Sequence, residues 1–173
     1  TAEVAEEYPG FDYVLNLQAD EPLIEYKMLE DLLEGVLADR PEMATLAHPV
    51  ERGSEQLSEP SNVQVVTDAA GDALYFSRFP IPYPQNVEHA DHLRHIGIYV
   101  YRREILLELT GREPVALERA EGLEQLRALY HGIGIRVYRT GYSPFGVDTP
   151  RELEQAEDML RNRLEMRGDE IPE

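Results

Sequence analysis

Two acidic loop positions, far apart in the chain, are where chemistry would start. Gln18-Ala19-Asp20-Glu21-Pro22 follows a short apolar run, and Phe145-Gly146-Val147-Asp148-Thr149-Pro150 precedes a run with helical spacing. In open α/β sheets the ligand crevice lies beyond the carboxyl ends of the strands, so a carboxylate in such a loop can hold a hard cation against a phosphate. Magnesium takes one or two protein carboxylates and completes its shell with water and substrate oxygens, and Asp20 with Asp148 would supply that pair. Each also has a plainer reading as a helix cap, Asp20 for the helix after it and Asp148 with Thr149 for the last one.

The remaining candidates are cationic or neutral polar groups. With 16 Lys and Arg against 34 Asp and Glu, the formal charge is −18, so every arginine draws attention. Arg78 offers a planar fork suited to a carboxylate, or else a surface ion pair. His95 and Tyr99 stand four apart in a strand-like run, which turns both toward one face, as ligand groups or as core. Glu121 and Gln125 fall one turn apart in a run read as a helix, spaced for adjacent hydroxyls of a polyol or for solvent. His89, His92 and His95 recur every third residue, but zinc calls for a denser ligand set than this polar loop provides. The chain has no cysteine, which excludes disulfides, thiolate metal sites and a cysteine nucleophile. Its charge opposes nucleic acid and anionic lipid surfaces. No apolar run approaches the ~18–20 residues of a membrane span, and Thr1 to Glu7 lacks the basic-then-apolar pattern of a signal peptide, so a soluble protein is expected.

These groups need a frame to position them. Thr1 to Tyr8 resembles the last turns of a helix, broken by Pro9-Gly10. Phe11 to Leu17 predicts a strand buried on both faces of a parallel sheet. Met28, Leu29, Leu32, Leu33, Val36 and Leu37 predict a helix, and with the strand before it half of a βαβ unit. Met43 to Val50 predicts a second strand. Val63 to Thr67 and Ala73 to Phe76 predict a hairpin around Gly71. An irregular loop over 79–93 leads to a strand at Ile96 to Tyr101, and Arg102 to Leu109 predicts a short helix ended by Gly111. Leu117, Ala120, Leu123, Leu126 and Tyr130 mark one helical stripe over 114–130, and Ile133 to Tyr138 a further strand. Thr149-Pro150-Arg151-Glu152 is a capping box opening the last helix, whose apolar face is Leu153, Ala156, Leu160 and Leu164. The alternation predicts one α/β domain over 1–167 with a tail over 168–173.

Five blocks give this pattern a family likeness. Gln18-Ala-Asp-Glu-Pro22, Tyr75-Phe-Ser-Arg78, Arg94-His-Ile-Gly-Ile-Tyr99, Leu123-Glu-Gln-Leu-Arg127 and Gly146-Val-Asp-Thr-Pro150 occur in the order seen in 3-deoxy-manno-octulosonate cytidylyltransferases, which the chain resembles from about Val4 to Leu164. The resemblance implies a Rossmann-like nucleotidyltransferase fold with a mixed sheet, and transfer of CMP from CTP to an eight-carbon acid sugar for lipopolysaccharide synthesis. It also implies Mg²⁺ on Asp20 and Asp148, and a sugar pocket of Gln18, Arg78, His95, Tyr99, Glu121 or Glu124, and Gln125. A cytoplasmic homodimer is implied as well, with the hairpin from Val63 to Phe76 as a contact region.

Two positions depart from the pattern: Ala19 stands where glycine is usual and Gln64 where lysine is usual. The family's opening strand and its phosphate loop of glycine, arginine and lysine have no match here. On that ground an incomplete domain with impaired or absent turnover is expected, and exposed sheet edges with it. The alternatives are a cytidylyltransferase for a related acid sugar, such as the 8-amino analogue or sialic acid, and a binding fragment without catalysis.

Overall fold

The computed structural model describes residues 1–18, 23–142 and 150–167. In chain order these form α1 (Ala2–Glu7), β1 (Tyr13–Asn16), α2 (Tyr26–Asp39), β2 (Met43–Val50), β3 (Gln64–Thr67), β4 (Ala73–Ser77), β5 (His92–Arg102), α3 (Arg103–Thr110), α4 (Ala116–Glu121), α5 (Gln125–Tyr130), β6 (Ile135–Arg139) and α6 (Pro150–Arg167). The strands make one mixed sheet in the order β4-β3-β5-β2-β6, with β1 added beside β5.

The organising strand is β5. It runs antiparallel to β2 along its whole length on one edge. On its other edge it pairs with β3 at Leu93 and Arg94, and with β1 from Tyr99 to Arg102. Both β1 and β2 are antiparallel to β5 and therefore parallel to each other, so β1-α2-β2 is a βαβ crossover split by an inserted strand. Strand β6 is parallel to β2.

Alternation along the strands divides the core in two. Ala44, Leu46, Ile96, Ile98 and Val100 face α2, which buries Met28, Leu32 and Val36. Met43, Ala47, Val65, Phe76 and Tyr99 face the layer of α3 to α5, packed with Ile105, Leu109, Leu123 and Leu126.

Several expectations need correction. Strand β1 is antiparallel to its one partner among the described strands and half-buried throughout, rather than sealed in a parallel sheet, and Phe11 and Leu17 are exposed. Strand β5 begins at His92, four residues before the expected start, because β2 and β3 recruit its polar beginning into the ladder. The single helix expected over 114–130 is two helices. Gly122, at φ 65°, ends α4 in a left-handed turn, and α5 starts afresh. Leu117 and Tyr130, placed on the apolar stripe, are exposed at 41% and 61%. In α6, Ala156 is buried while Leu153 and Leu160 are about half exposed. The capping box at Thr149 and the tail lie outside the described residues. The hairpin forms as expected, with the Asp68 carboxylate accepting from the N–H groups of Ala70 and Asp72 around Gly71 at φ 89°.

Candidate functional site

The helix-facing side of β5 carries His95, Tyr99 and Tyr101, whose rings form a ladder. The His95 ring meets Phe76 edge-on at 5.1 Å and Tyr99 at 5.2 Å, and Tyr99 meets Tyr101 at 5.8 Å. The four-residue spacing of His95 and Tyr99 thus does put them on one face. Burial dominates their acid-base behaviour. It pushes the His95 imidazole down to about 3, so the ring is neutral, and it pushes the Tyr99 and Tyr101 phenols up, aided by the negative charge of Glu124.

Between His95 and Tyr99 the ladder with β2 is irregular. Thr45 pairs with Tyr99 while its neighbour Leu46 pairs with Ile96, so β5 bulges over Gly97 and Ile98. The fully buried Thr45 sits under the bulge, with its hydroxyl 3.0 Å from His95 Nε2, 3.1 Å from the Ile96 carbonyl and 2.8 Å from the Ile98 carbonyl. Opposite Gly97, where no described strand pairs with β5 on its outer edge, lies the Gln18 side chain. A Cβ at Gly97 would stand 3.0 Å from Gln18 Oε1, so the close approach depends on glycine.

Arg78 and Glu121 form a clamp where β4 meets α4. Glu121 accepts from the Ser77 hydroxyl and the Arg78 backbone N–H, both at 2.9 Å. The Arg78 guanidinium donates to the carbonyls of Glu121 at 2.7 Å, Pro60 at 2.9 Å and Gly122 at 3.4 Å. It is therefore engaged by backbone carbonyls rather than by a carboxylate. Three of a guanidinium's five N–H groups are used, and the other two have no partner among the described residues.

The break at Gly122 separates Glu121 from Gln125, so the single-helix face expected for them does not exist. Glu124 instead precedes α5 beside the tyrosines, and its carboxylate makes no hydrogen bond or ion pair to a described residue. Gln125 is 8% exposed, and its amide likewise has no described partner. Both line a small cavity with Met43, Tyr101, Leu109 and Arg127. Arg127 is committed there to Glu118, which it grips through Nε at 2.8 Å.

Gln18, His95, Tyr99, Glu124 and Gln125 thus gather along the bulged half of β5, and Arg78 and Glu121 sit at the junction of β4 and α4. Asp20 and Asp148 lie outside the described residues, and among the described residues no cluster of His, Asp or Glu could hold a metal. The three histidines do not converge: His92 Nδ1 is bound to the Ile81 carbonyl, His95 Nε2 to Thr45, and His89 is exposed. Sequence reasoning missed Tyr101, which the two-residue period from Tyr99 would have found, and Thr45, for which only the strand register gives a signal.

No described helix is long and apolar enough to cross a membrane. Residues 1–140 match the family model described as cytidylyltransferase. The chain is 42% identical over 161 residues to the 3-deoxy-manno-octulosonate cytidylyltransferase of Fusobacterium nucleatum, covering 92% of this chain and 65% of that protein. It is 48% identical over 153 residues to that of Anaeromyxobacter dehalogenans, covering 88% and 62%. Against the Escherichia coli protein of that name the identity is 44% over 155 residues. The chain therefore spans somewhat less than two thirds of the length of these curated relatives. A solved structure of CMP:2-keto-3-deoxy-manno-octonic acid synthetase complexed with CTP superposes with a TM-score of 0.86 at 41% identity, over 93% of this chain and 67% of that one. The bulged central strand, its ring ladder and the mixed sheet around them thus belong to a member of the cytidylyltransferase family, on the branch of the 3-deoxy-manno-octulosonate enzymes.

Proposed function

We propose that the protein transfers CMP from CTP to the anomeric hydroxyl of 3-deoxy-manno-octulosonate, and that the groups along β5 and α5 bind the acid sugar. The observation that carries this reading is the pair Glu124 and Gln125. The buried Gln125 amide, to which no described residue hydrogen-bonds, and the solvent-exposed Glu124 carboxylate line one small cavity beside Tyr101. An amide and a solvent-reachable carboxylate converging on one cavity beside a phenol suit a ligand rich in hydroxyls.

In the reaction the anomeric oxygen bonds to the α-phosphorus, the bond to pyrophosphate breaks and the hydroxyl proton is lost. The chain's residues supply alignment. Arg78 receives the sugar carboxylate on its two spare N–H groups. Glu124, Gln125, Gln18 and Tyr99 take hydroxyls, and His95 borders them as a neutral ring. Glu121 holds the Arg78 clamp and is not assigned a sugar contact, since both its oxygens are engaged. The negative Glu124 repels the carboxylate end, so the charges along 121–125 orient the ligand. Asp20 and Asp148 are hard oxygen donors of the kind Mg²⁺ prefers, and the bound ion would supply positive charge beside the phosphates. CTP as donor would place the reaction in the cytoplasm. A homodimer is assigned to the β3-β4 hairpin, where Leu74 is 62% exposed.

Steady-state pyrophosphate release tests the reading. Glu124→Gln is expected to raise the KM for the sugar about tenfold, equivalent to ~1.4 kcal/mol, with the KM for CTP unchanged. Asp20→Asn or Asp148→Asn should remove most turnover without moving the melting temperature. Near-normal rates for both aspartate variants at saturating magnesium overturn the assignment. A panel including the 8-amino analogue and sialic acid reads specificity, and calorimetric sugar binding without turnover would leave a binding fragment.

A further inference from the structure

A hydroxyl carries one hydrogen and two lone pairs, whereas a carbonyl oxygen only accepts. The Thr45 hydroxyl lies within hydrogen-bond distance of two carbonyls, those of Ile98 at 2.8 Å and Ile96 at 3.1 Å, and of the His95 Nε2 at 3.0 Å. Its one hydrogen must serve the carbonyls, since turning it to the ring would set lone pair against lone pair at Ile98. The third contact then closes only if Nε2 carries a hydrogen and donates it. Because the ring is neutral, its Nδ1 is bare and has no hydrogen-bond partner among the described residues.

We propose that Thr45 is a positioning residue whose hydroxyl fixes His95 as the Nε2–H tautomer and so makes Nδ1 a hydrogen-bond acceptor for a hydroxyl of the substrate. This rests on the reading that His95 borders the sugar pocket. Such a nitrogen accepts from O–H and repels carboxylate or phosphate oxygens, which selects the polyol part of an acid sugar. The bulge at Gly97 and Ile98 lies at this point, and the Ile96 and Ile98 carbonyls and the His95 ring all meet the one Thr45 hydroxyl there.

Nitrogen-15 spectra of the histidine rings test both halves separately, with His95→Gln identifying the His95 signals. The wild-type protein should show a protonated Nε2 and a bare Nδ1. Thr45→Ser should keep that pattern, and Thr45→Val should replace it by a mixture of tautomers, with an unchanged amide spectrum elsewhere reporting an intact fold. A wild-type ring protonated on Nδ1, or a Thr45→Val ring with the wild-type pattern, overturns the role of Thr45 whatever binds nearby. If Thr45→Val does not fold, the wild-type and Thr45→Ser spectra still decide the tautomer. Adding 3-deoxy-manno-octulosonate should shift the Nδ1 signal. An intact tautomer whose Nδ1 does not respond to the sugar overturns the acceptor role and the pocket reading beneath it.

Discussion

Replacing Arg127 with methionine should cost more stability than replacing Arg127 and Glu118 together. Arg127 donates through Nε to Glu118 at 2.8 Å and through Nη1 to the Arg112 carbonyl at 3.1 Å and the Leu109 carbonyl at 3.3 Å. It thereby ties the end of α3 and the start of α4 to α5. The pair is nearly sealed, with side-chain exposures of 17% and 9%. Without the cation, the Glu118 carboxylate keeps only the Val115 N–H at 3.3 Å. Leaving a buried charge unpaired costs ~3–5 kcal/mol, a large part of the ~5–15 kcal/mol by which domains are stable. Methionine at both positions leaves no charge behind, so the double variant should recover much of that loss. The pH dependence gives a second check. The hydrogen bond from Arg127 holds the Glu118 carboxyl below its usual 4.5 despite its burial. The pair's contribution is therefore complete above about pH 4.5 and is lost as pH falls through the lower folded value. In Arg127→Met the largest lowering influence is gone, and burial is opposed only by the Val115 N–H and the charge of Arg119. The carboxyl therefore rises relative to wild type, protonation relieves the variant, and the gap to wild type should narrow on acidification. Urea unfolding of wild type, both single variants and the double variant at about pH 7 and about pH 4 measures all of this. A cost below ~1 kcal/mol for Arg127→Met, or a double variant as unstable as the two singles summed, would show that Glu118 does not depend on Arg127 for its charge.

Gly35→Ala in α2 would set a Cβ 2.6 Å from the Tyr138 ring, which is also bound to Asp39 at 3.0 Å. The ~1 kcal/mol gained in helix propensity should be outweighed by ~1–3 kcal/mol of overpacking, read as a lower melting temperature. Arg40 ends α2 at φ 50° and ψ 50°, and Arg40→Gly should raise the urea midpoint by up to ~1 kcal/mol of stability, since the carbonyl that Arg102 uses remains. Gln64 is fully buried, its Nε2 reaches only the Asn62 carbonyl at 3.3 Å, and its Oε1 has no partner among the described residues. Gln64→Met, similar in shape, should be neutral or stabilising by ~1 kcal/mol in thermal unfolding, and a clear loss would show that Oε1 is satisfied.

Local signals in the sequence carried the elements whose ends are set locally. Strand β2 runs from Met43 to Val50 as its alternation predicts, with Pro41 before it and Gly53 after it, and the hairpin forms where Gly71 supplies the turn. The start of β5 was not legible because His92 and Arg94 are polar, and only their pairing with β2 and β3 makes them strand. The break between α4 and α5 was hidden by an apolar stripe that continues across it, although Gly122 marks the place. In the site, period two placed His95 and Tyr99 together. Their electrostatic state depends on burial, and Thr45 on a two-residue slip in register. Neither leaves a local trace.

That slip explains why polar groups collect at the centre of an otherwise apolar sheet. A regular β5 would keep its ladder with β2 unbroken and its outer edge free for a neighbour. Instead β3 leaves that edge after Arg94 and β1 joins it only at Tyr99. The segment between is short of backbone partners on both edges, and unpaired carbonyls cost ~1–3 kcal/mol each when buried. The single hydrogen of the Thr45 hydroxyl is shared between two of them within the core, and the Gln18 side chain packs against Gly97. The hydrophobic clusters on the two faces continue past the gap through Ile96 and Ile98 on one side and Phe76 and Tyr99 on the other. The sheet can therefore hold a polar recess at its middle while each face keeps its packing, and the groups that would meet a ligand are mounted on its most extensively paired strand.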